Sequence, residues 1–200
     1  MIAIVDYHAG NLTSVARAFA AVGASPVVTR SPQALLDADA VVVPGVGHFG
    51  ATAAVDDELR SSLRACARVK PLLGICLGMQ FLFDGSEEAP RIRGLALLEG
   101  GCVSLRPSAA AKVPHVGWNT LDRVGPSRLL DGVPEDAAFY FTHSYAAPVT
   151  AQCVARAEHA GTFAAVVESG WVFGTQFHPE KSGAEGLRIL RNFIRCSVNA

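Results

Sequence analysis

Short apolar runs recur along the first half of the chain. Between them lie stretches whose apolar positions return every three or four residues. Ile2 to Val5, closed by Asp6, has the pattern of a strand buried on both faces. Gly10-Asn11 signals a loop, and Leu12, Val15, Ala16, Phe19 and Val22 then follow at helical spacing until Gly23 stops them. Pro26 to Thr29 reads as a strand. Ser31-Pro32 reads as an N-cap followed by proline at the first helical position, opening a short helix to Leu36. Ala40 to Val43 is a further strand, Asp56 to Val69 a helix with Leu59, Leu63 and Cys66 on one face, and Leu72 to Ile75 a buried strand. This β-α-β-α-β rhythm with short connections predicts an open, three-layer, mostly parallel sheet with helices on both faces.

The second half changes character. From Leu95 to Val124 the runs are strand-like and broken by Gly and Pro, which predicts antiparallel strands added to the sheet edge. Ala138 to Phe141, Val154 to Ala157, Ala164 to Glu168 and Trp171 to Phe177 read as further strands. Ala184 to Arg195 closes the chain as an amphipathic helix with Leu187, Leu190 and Ile194 inward. A short alanine run, Ala109 to Ala111, follows the Pro107-Ser108 turn signal. No linker or repeat interrupts residues 1–200, so a single domain is expected.

Composition narrows the function. Half the residues are hydrophobic and 18% are charged, which excludes a disordered chain. Lys plus Arg is 17 against 18 for Asp plus Glu, a net charge of −1 that argues against a nucleic-acid surface. The five cysteines are odd in number and none lies in a CxxC pair, so neither a disulfide framework nor a zinc ribbon is signalled. No signal peptide or membrane span is apparent, and a cytoplasmic location is expected.

Three strand ends carry reactive groups. Gly74-Ile75-Cys76-Leu77-Gly78 stands after a strand and before a helix, the thiol form of a nucleophile elbow. Small residues at Gly74 and Gly78 permit the sharp turn that lifts Cys76 out of the sheet, whereas an isolated cysteine is more often inert core. Phe177-His178-Pro179-Glu180 ends another strand. If the extended backbone continues, His178 and Glu180 point the same way, about 6–7 Å apart. The acid then orients the imidazole, and the imidazole takes the thiol proton; a solvated turn is the plainer alternative. Pro44-Gly45-Val46-Gly47-His48-Phe49-Gly50 is a glycine-rich loop whose N–H groups, with that of Leu77, suit an oxyanion hole. A tight turn or a phosphate loop are the alternatives, but no Gly-Lys-Ser/Thr follows. Tyr140 to Tyr145 sets polar groups at a strand end, suited to substrate recognition, and Trp118 is either core filling or a partner anchor.

Together these segments resemble the class I (triad) glutamine amidotransferases, through Gly74-Ile75-Cys76-Leu77-Gly78-Met79-Gln80 and Phe177-His178-Pro179-Glu180. Within the class, Asp6-Tyr7-His8-Ala9-Gly10-Asn11-Leu12, the Pro44 to Gly50 loop, Pro114-His115-Val116-Gly117-Trp118-Asn119 and Tyr140-Phe141-Thr142-His143-Ser144-Tyr145 resemble the HisH family of imidazole glycerol phosphate synthase subunits. His8 stands where that family more usually has Gly.

The resemblance implies a glutaminase without metal or cofactor. Cys76 attacks the carboxamide of L-glutamine, His178 is base and then acid, and Glu180 orients it. Gly45, Val46, Gly47 and Leu77 form the oxyanion hole, while Gln80, Thr142, Ser144 and Tyr145 bind glutamine. It also implies a heterodimer with a (β/α)8-barrel cyclase, HisF, which receives the ammonia, with Asn11, Trp118 and Lys181 at or near the interface. Three alternatives remain open on sequence: the glutaminase of pyridoxal phosphate synthase, a self-sufficient cysteine hydrolase, and a non-catalytic module that keeps the fold.

Overall fold

The computed structural model describes residues 1–108 and 111–198, so Ala109 and Ala110 of the alanine run lie outside it. The first half follows its hydrophobic pattern closely. Strands β1 (Ile2–Val5), β2 (Pro26–Thr29), β3 (Ala40–Val43) and β4 (Leu72–Ile75) alternate with helices α1 (Leu12–Ala21), α2 (Pro32–Asp37) and α3 (Asp57–Val69). Helix α4 (Leu77–Leu82) leaves β4 directly. Local chemistry sets the helix ends. The Asn11, Ser31 and Asp56 side chains accept from the N–H groups of Ser14, Ala34 and Leu59, and Gly23 takes φ +88° beyond α1.

The second half comprises β5 (Gly85–Ser86), β6 (Gly101–Ser104), β7 (His115–Thr120), β8 (Asp122–Arg123), β9 (Ala138–His143), β10 (Tyr145–Ala146), β11 (Cys153–Glu158), β12 (Thr162–Ser169) and β13 (Val172–Thr175). Helix α5 (Gly183–Val198) follows. The main sheet has the order β2-β1-β3-β4-β13-β12-β11-β8. Its first five strands are parallel and the last three are added antiparallel.

Alternation along β1 divides the core between the two faces. Ile2 and Ile4 join Val15 and Phe19 of α1 and Leu190 and Phe193 of α5, while Ala3 and Val5 join Leu35 of α2 and Leu59 and Leu63 of α3. Phe193 stands edge-on to both Phe19 and Phe173. Each such buried ring contributes on the order of 2–3 kcal/mol.

Two expectations need correction. Of the strands expected between Leu95 and Val124, only β8 reaches the main sheet. β7 pairs instead with β9 as a separate two-stranded ribbon, and β6 lies between β5 and β10 in a small three-stranded sheet. The strand expected from Trp171 to Phe177 is shorter. β13 ends at Thr175, the register partner of the last residue of β4, Ile75; beyond it only the Gln176 N–H continues the pairing, to Ala165 O of β12. Among the described residues, no helix is long and apolar enough to cross a membrane.

Candidate active site

Cys76 sits between β4 and α4 at φ +52° and ψ −108°, a conformation that costs a non-glycine residue about 1–3 kcal/mol. Its neighbours hold it there. The Cys76 N–H donates to Thr175 O at 2.7 Å, and Gln80 N–H donates to Cys76 O at 3.0 Å. The flanking glycines are sterically required. A Cβ on Gly78 would lie 1.7 Å from Val43 O, and one on Gly74 would lie 2.6 Å from Gly78 O.

His178 and Glu180 meet differently from the extended geometry expected. The backbone turns into a 3-10 helix at Pro179–Lys181, and this tight turn brings Glu180 Oε1 to 2.8 Å from His178 Nδ1. His178 is pinned on its main chain as well. Its N–H donates to Tyr140 O, and the Ser182 hydroxyl donates to its carbonyl at 2.6 Å. Both side chains of the pair are 1% exposed. With Nδ1 engaged by Glu180, Nε2 is buried without a hydrogen-bond partner, as is Glu180 Oε2. Burial acts to lower the imidazole's proton affinity, but the Cys76 sulfur and then Glu180 outweigh it and hold His178 well above the usual imidazole range. The site therefore favours a proton on His178.

A narrow crevice opens over Cys76. Gly47, Leu77, Gln80, Thr142, Ser144 and Tyr145, all singled out from sequence, line it. The other two residues of the glycine loop stand apart. Gly45 is buried beneath Tyr7, Leu77 and Gly78, leaving no room for a Cβ, and Val46 is partly exposed. The two Gln80 side-chain N–H bonds go to Tyr145 O at 2.7 Å and Gln176 Oε1 at 3.1 Å. Thr142 O lies 3.9 Å from Cys76 Sγ.

The three expected interface residues are exposed but not contiguous by contact. Lys181 Nζ stands 5.7 Å over the Tyr140 ring, which meets Trp118 edge-on at 6.1 Å, while Asn11 is the N-cap of α1. Trp118 is 59% exposed and Val116, on the same face of the β7–β9 ribbon, is 58% exposed. The indole is thus not core filling.

Sequence reasoning passed over four neighbours of the site. The Glu88 carboxylate lines the crevice and accepts the Phe49 N–H at 2.6 Å. Its only sequence signal is an acidic pair, Glu87-Glu88, after Gly85-Ser86. The Tyr7 hydroxyl donates to Pro44 O at 2.6 Å and fixes the start of the glycine loop. Burial, and then the charge at Cys76, push the Tyr7 phenol's pKa upward. Gln176 Nε2 reaches the Cys76 sulfur at 3.6 Å. His143 lines the crevice, accepts His115 Nδ1–H through Nε2 at 3.0 Å, and donates Nδ1–H to Tyr145 O at 3.0 Å. No group of three or more His, Cys, Asp or Glu among the described residues could hold a metal ion.

A thiol elbow, a buried His–Glu pair and an adjoining polar crevice on this sheet define a class. The class I glutamine amidotransferase family model matches residues 3–196, and the chain belongs to that family. Solved structures of a glutamine amidotransferase and of PurLQS from Thermotoga maritima share the fold at TM-scores of 0.75 and 0.76, with 18% and 21% identity. They cover 99% and 97% of this chain, and 100% and 97% of their own chains. Within the family the chain belongs to the HisH subunits of imidazole glycerol phosphate synthase. It is 49% identical over 196 residues to the HisH subunit of Methanothermobacter thermautotrophicus, covering 97% of this chain and 98% of that one. It is 44% identical over 203 residues to that of Xanthomonas campestris pv. campestris, covering 98% of each.

Proposed function

We propose that the chain works as one cytoplasmic glutaminase domain, with Cys76 as nucleophile, His178 as its acid–base partner and Glu180 as the group that orients the imidazole. The observation that carries this reading is the buried Nε2 of His178, left without a hydrogen bond while Nδ1 is held by Glu180, on an imidazole whose proton affinity the Cys76 sulfur raises.

The sequence of steps follows from that arrangement. The Cys76 S–H bond breaks and its proton passes to His178 Nε2. The thiolate attacks the side-chain carboxamide carbon of L-glutamine, and the carbonyl π pair moves onto oxygen. The N–H groups of Leu77 and Gly47, the two oxyanion-hole residues that line the crevice, receive the developing oxyanion, an interaction worth about 3–4 kcal/mol per donor in such sites. His178 then returns its proton to the departing nitrogen, and ammonia leaves a glutamyl thioester. Water, deprotonated by His178, attacks the thioester, releasing glutamate and restoring the thiol.

Gln80, Thr142, Ser144 and Tyr145 hold the amino-acid end of the substrate. Glu88 adds the carboxylate that its ammonium needs. Ammonia is protonated in neutral water, so it is useful only if delivered through a dry route. The acceptor is the (β/α)8-barrel cyclase subunit HisF, docked over Trp118 and Lys181, with Asn11 at the margin, and the product is imidazole glycerol phosphate.

The test is glutamate release from L-glutamine, with and without the cyclase and its nucleotide. Cys76→Ala is expected to lose at least about 10⁴-fold in kcat while still binding the cyclase. Glu180→Gln, which keeps the shape but not the carboxylate, is expected to lose about 10²–10⁴-fold. Undiminished turnover in Cys76→Ala overturns the reading.

A further inference from the structure

The Cys76 sulfur has a polar neighbour that the proposed reaction steps do not use. Gln176 is fully buried between the end of β13 and His178. Its main-chain N–H donates to Ala165 O at 2.9 Å, which fixes the backbone against β12. Its side chain is fixed at both ends. Oε1 accepts from Gln80 Nε2 at 3.1 Å, and Nε2 points to Cys76 Sγ at 3.6 Å.

The orientation of this amide follows from its partners. Gln80 presents Nε2 to both Tyr145 O and Gln176 Oε1, so Gln176 must turn its oxygen to Gln80 and its N–H to the sulfur. Tyr145 O is itself fixed from a second side by His143 Nδ1–H, and His143 Nε2 by His115. The result is an unbroken run of buried and part-buried hydrogen bonds from His115 to the nucleophile, with every donor–acceptor sense determined.

We infer that Gln176 is a further catalytic residue, whose side-chain N–H stabilises the Cys76 thiolate and aims it at the substrate, held for that task by Gln80. The inference rests on Cys76 being the nucleophile. When the S–H proton moves to His178 Nε2, the negative charge left on sulfur meets a donor already in place. The N–H···S contact changes from neutral to charge-assisted, roughly doubling its strength, so the gain falls on the reacting state and not on bound glutamine. The contact belongs to kcat, whereas the Gln80–Tyr145 part of the run belongs to glutamine binding.

The experiment uses the complex with the cyclase and its nucleotide. Gln176→Met keeps length and apolar volume and removes the donor. Its kcat for glutamate release is expected to fall about 10–100-fold, with KM for glutamine within about threefold. Alkylation of Cys76 by iodoacetamide, read by mass of the Cys76 peptide, is expected to slow at least about tenfold. A rise in KM with unchanged kcat and unchanged alkylation overturns the inference, because Gln176 then only supports Gln80. A second measurement needs no Gln176 variant. In ¹⁵N-labelled protein the Gln176 side-chain amide resonance is expected to move in Cys76→Ala, and an unmoved resonance counts against the contact. Undiminished turnover in Cys76→Ala sinks the nucleophile assignment, whereas an essential Cys76 beside an indifferent Gln176 sinks this inference alone.

Discussion

The Cα of Gly78 faces the carbonyl of Val43 so closely that a Cβ would lie 1.7 Å from that oxygen. Strand β3, which leads into the glycine loop, and helix α4, which carries the elbow, are thereby in backbone contact. Gly78→Ala is expected to lower unfolding stability by about 3 kcal/mol or more, since neither main chain can yield without disturbing the sheet. Gly125→Ala, where nothing lies within 4 Å, is the control and is expected to stay within about 0.5 kcal/mol. Urea denaturation of the two variants checks the contrast.

Glu88 holds the Phe49 N–H and lines the crevice at once. Glu88→Gln keeps an acceptor for Phe49 but loses the charge. KM for glutamine is expected to rise about 10–100-fold, with a smaller effect on kcat, because an ammonium–carboxylate hydrogen bond contributes about 1.5–3 kcal/mol. Initial-rate measurements across glutamine concentration separate the two constants.

The histidines give stability opposite dependences on pH. Burial, and then the mutual repulsion of neighbouring imidazoles, lower His115 to about 4 and His143 to about 3. Below pH 6.5 the unfolded chain takes protons that these two refuse. Their contribution is intact above pH 6.5 and is lost as pH falls through that value toward the folded values. The slope approaches ~1.4 kcal/mol per pH unit for each group. His178 is raised, so its contribution is present below pH 6.5 and is lost as pH climbs into the alkaline range. Denaturation midpoints at pH 5 and pH 7 are expected to differ less in His143→Gln than in the parent. Equal differences would remove His143 from the account.

Trp118 and Val116 stand on the outer face of the β7–β9 ribbon. Trp118→Ala is expected to leave the subunit's own Tm unchanged and to weaken association with the cyclase by about 2 kcal/mol, or roughly 30-fold in Kd. Titration of the cyclase, followed calorimetrically, measures it.

The parallel half of the sheet was readable from sequence because β1, β3 and β4 are buried on both faces and the helices are capped by Asn11, Ser31 and Asp56. The elbow was readable because Gly74 and Gly78 have a steric reason to be glycine. The region from Leu95 to Val124 was not. Period-two alternation in β7 says that one face is covered, but not that the partner strand is β9 and not the main sheet. The His178–Glu180 contact was expected from an extended backbone and arises from a 3-10 turn, since Pro179 opens a helix as readily as it continues a strand. Glu88 and Gln176 carried no local pattern, and His143 stood out only as one polar group of the Tyr140 to Tyr145 segment. Their places depend on contacts with residues 39, 100 and 28 positions away, respectively, which only the tertiary fold supplies.

The crevice draws its walls from three separately laddered pieces: Cys76 follows β4 of the main sheet, Thr142 belongs to the two-stranded ribbon, and Tyr145 to the small three-stranded sheet. No single ladder fixes the gap between sulfur and substrate. The gap rests instead on hydrogen bonds between the pieces, Gln80 to Tyr145 and His178 to Tyr140, so two cross-links and no strand pairing set its width.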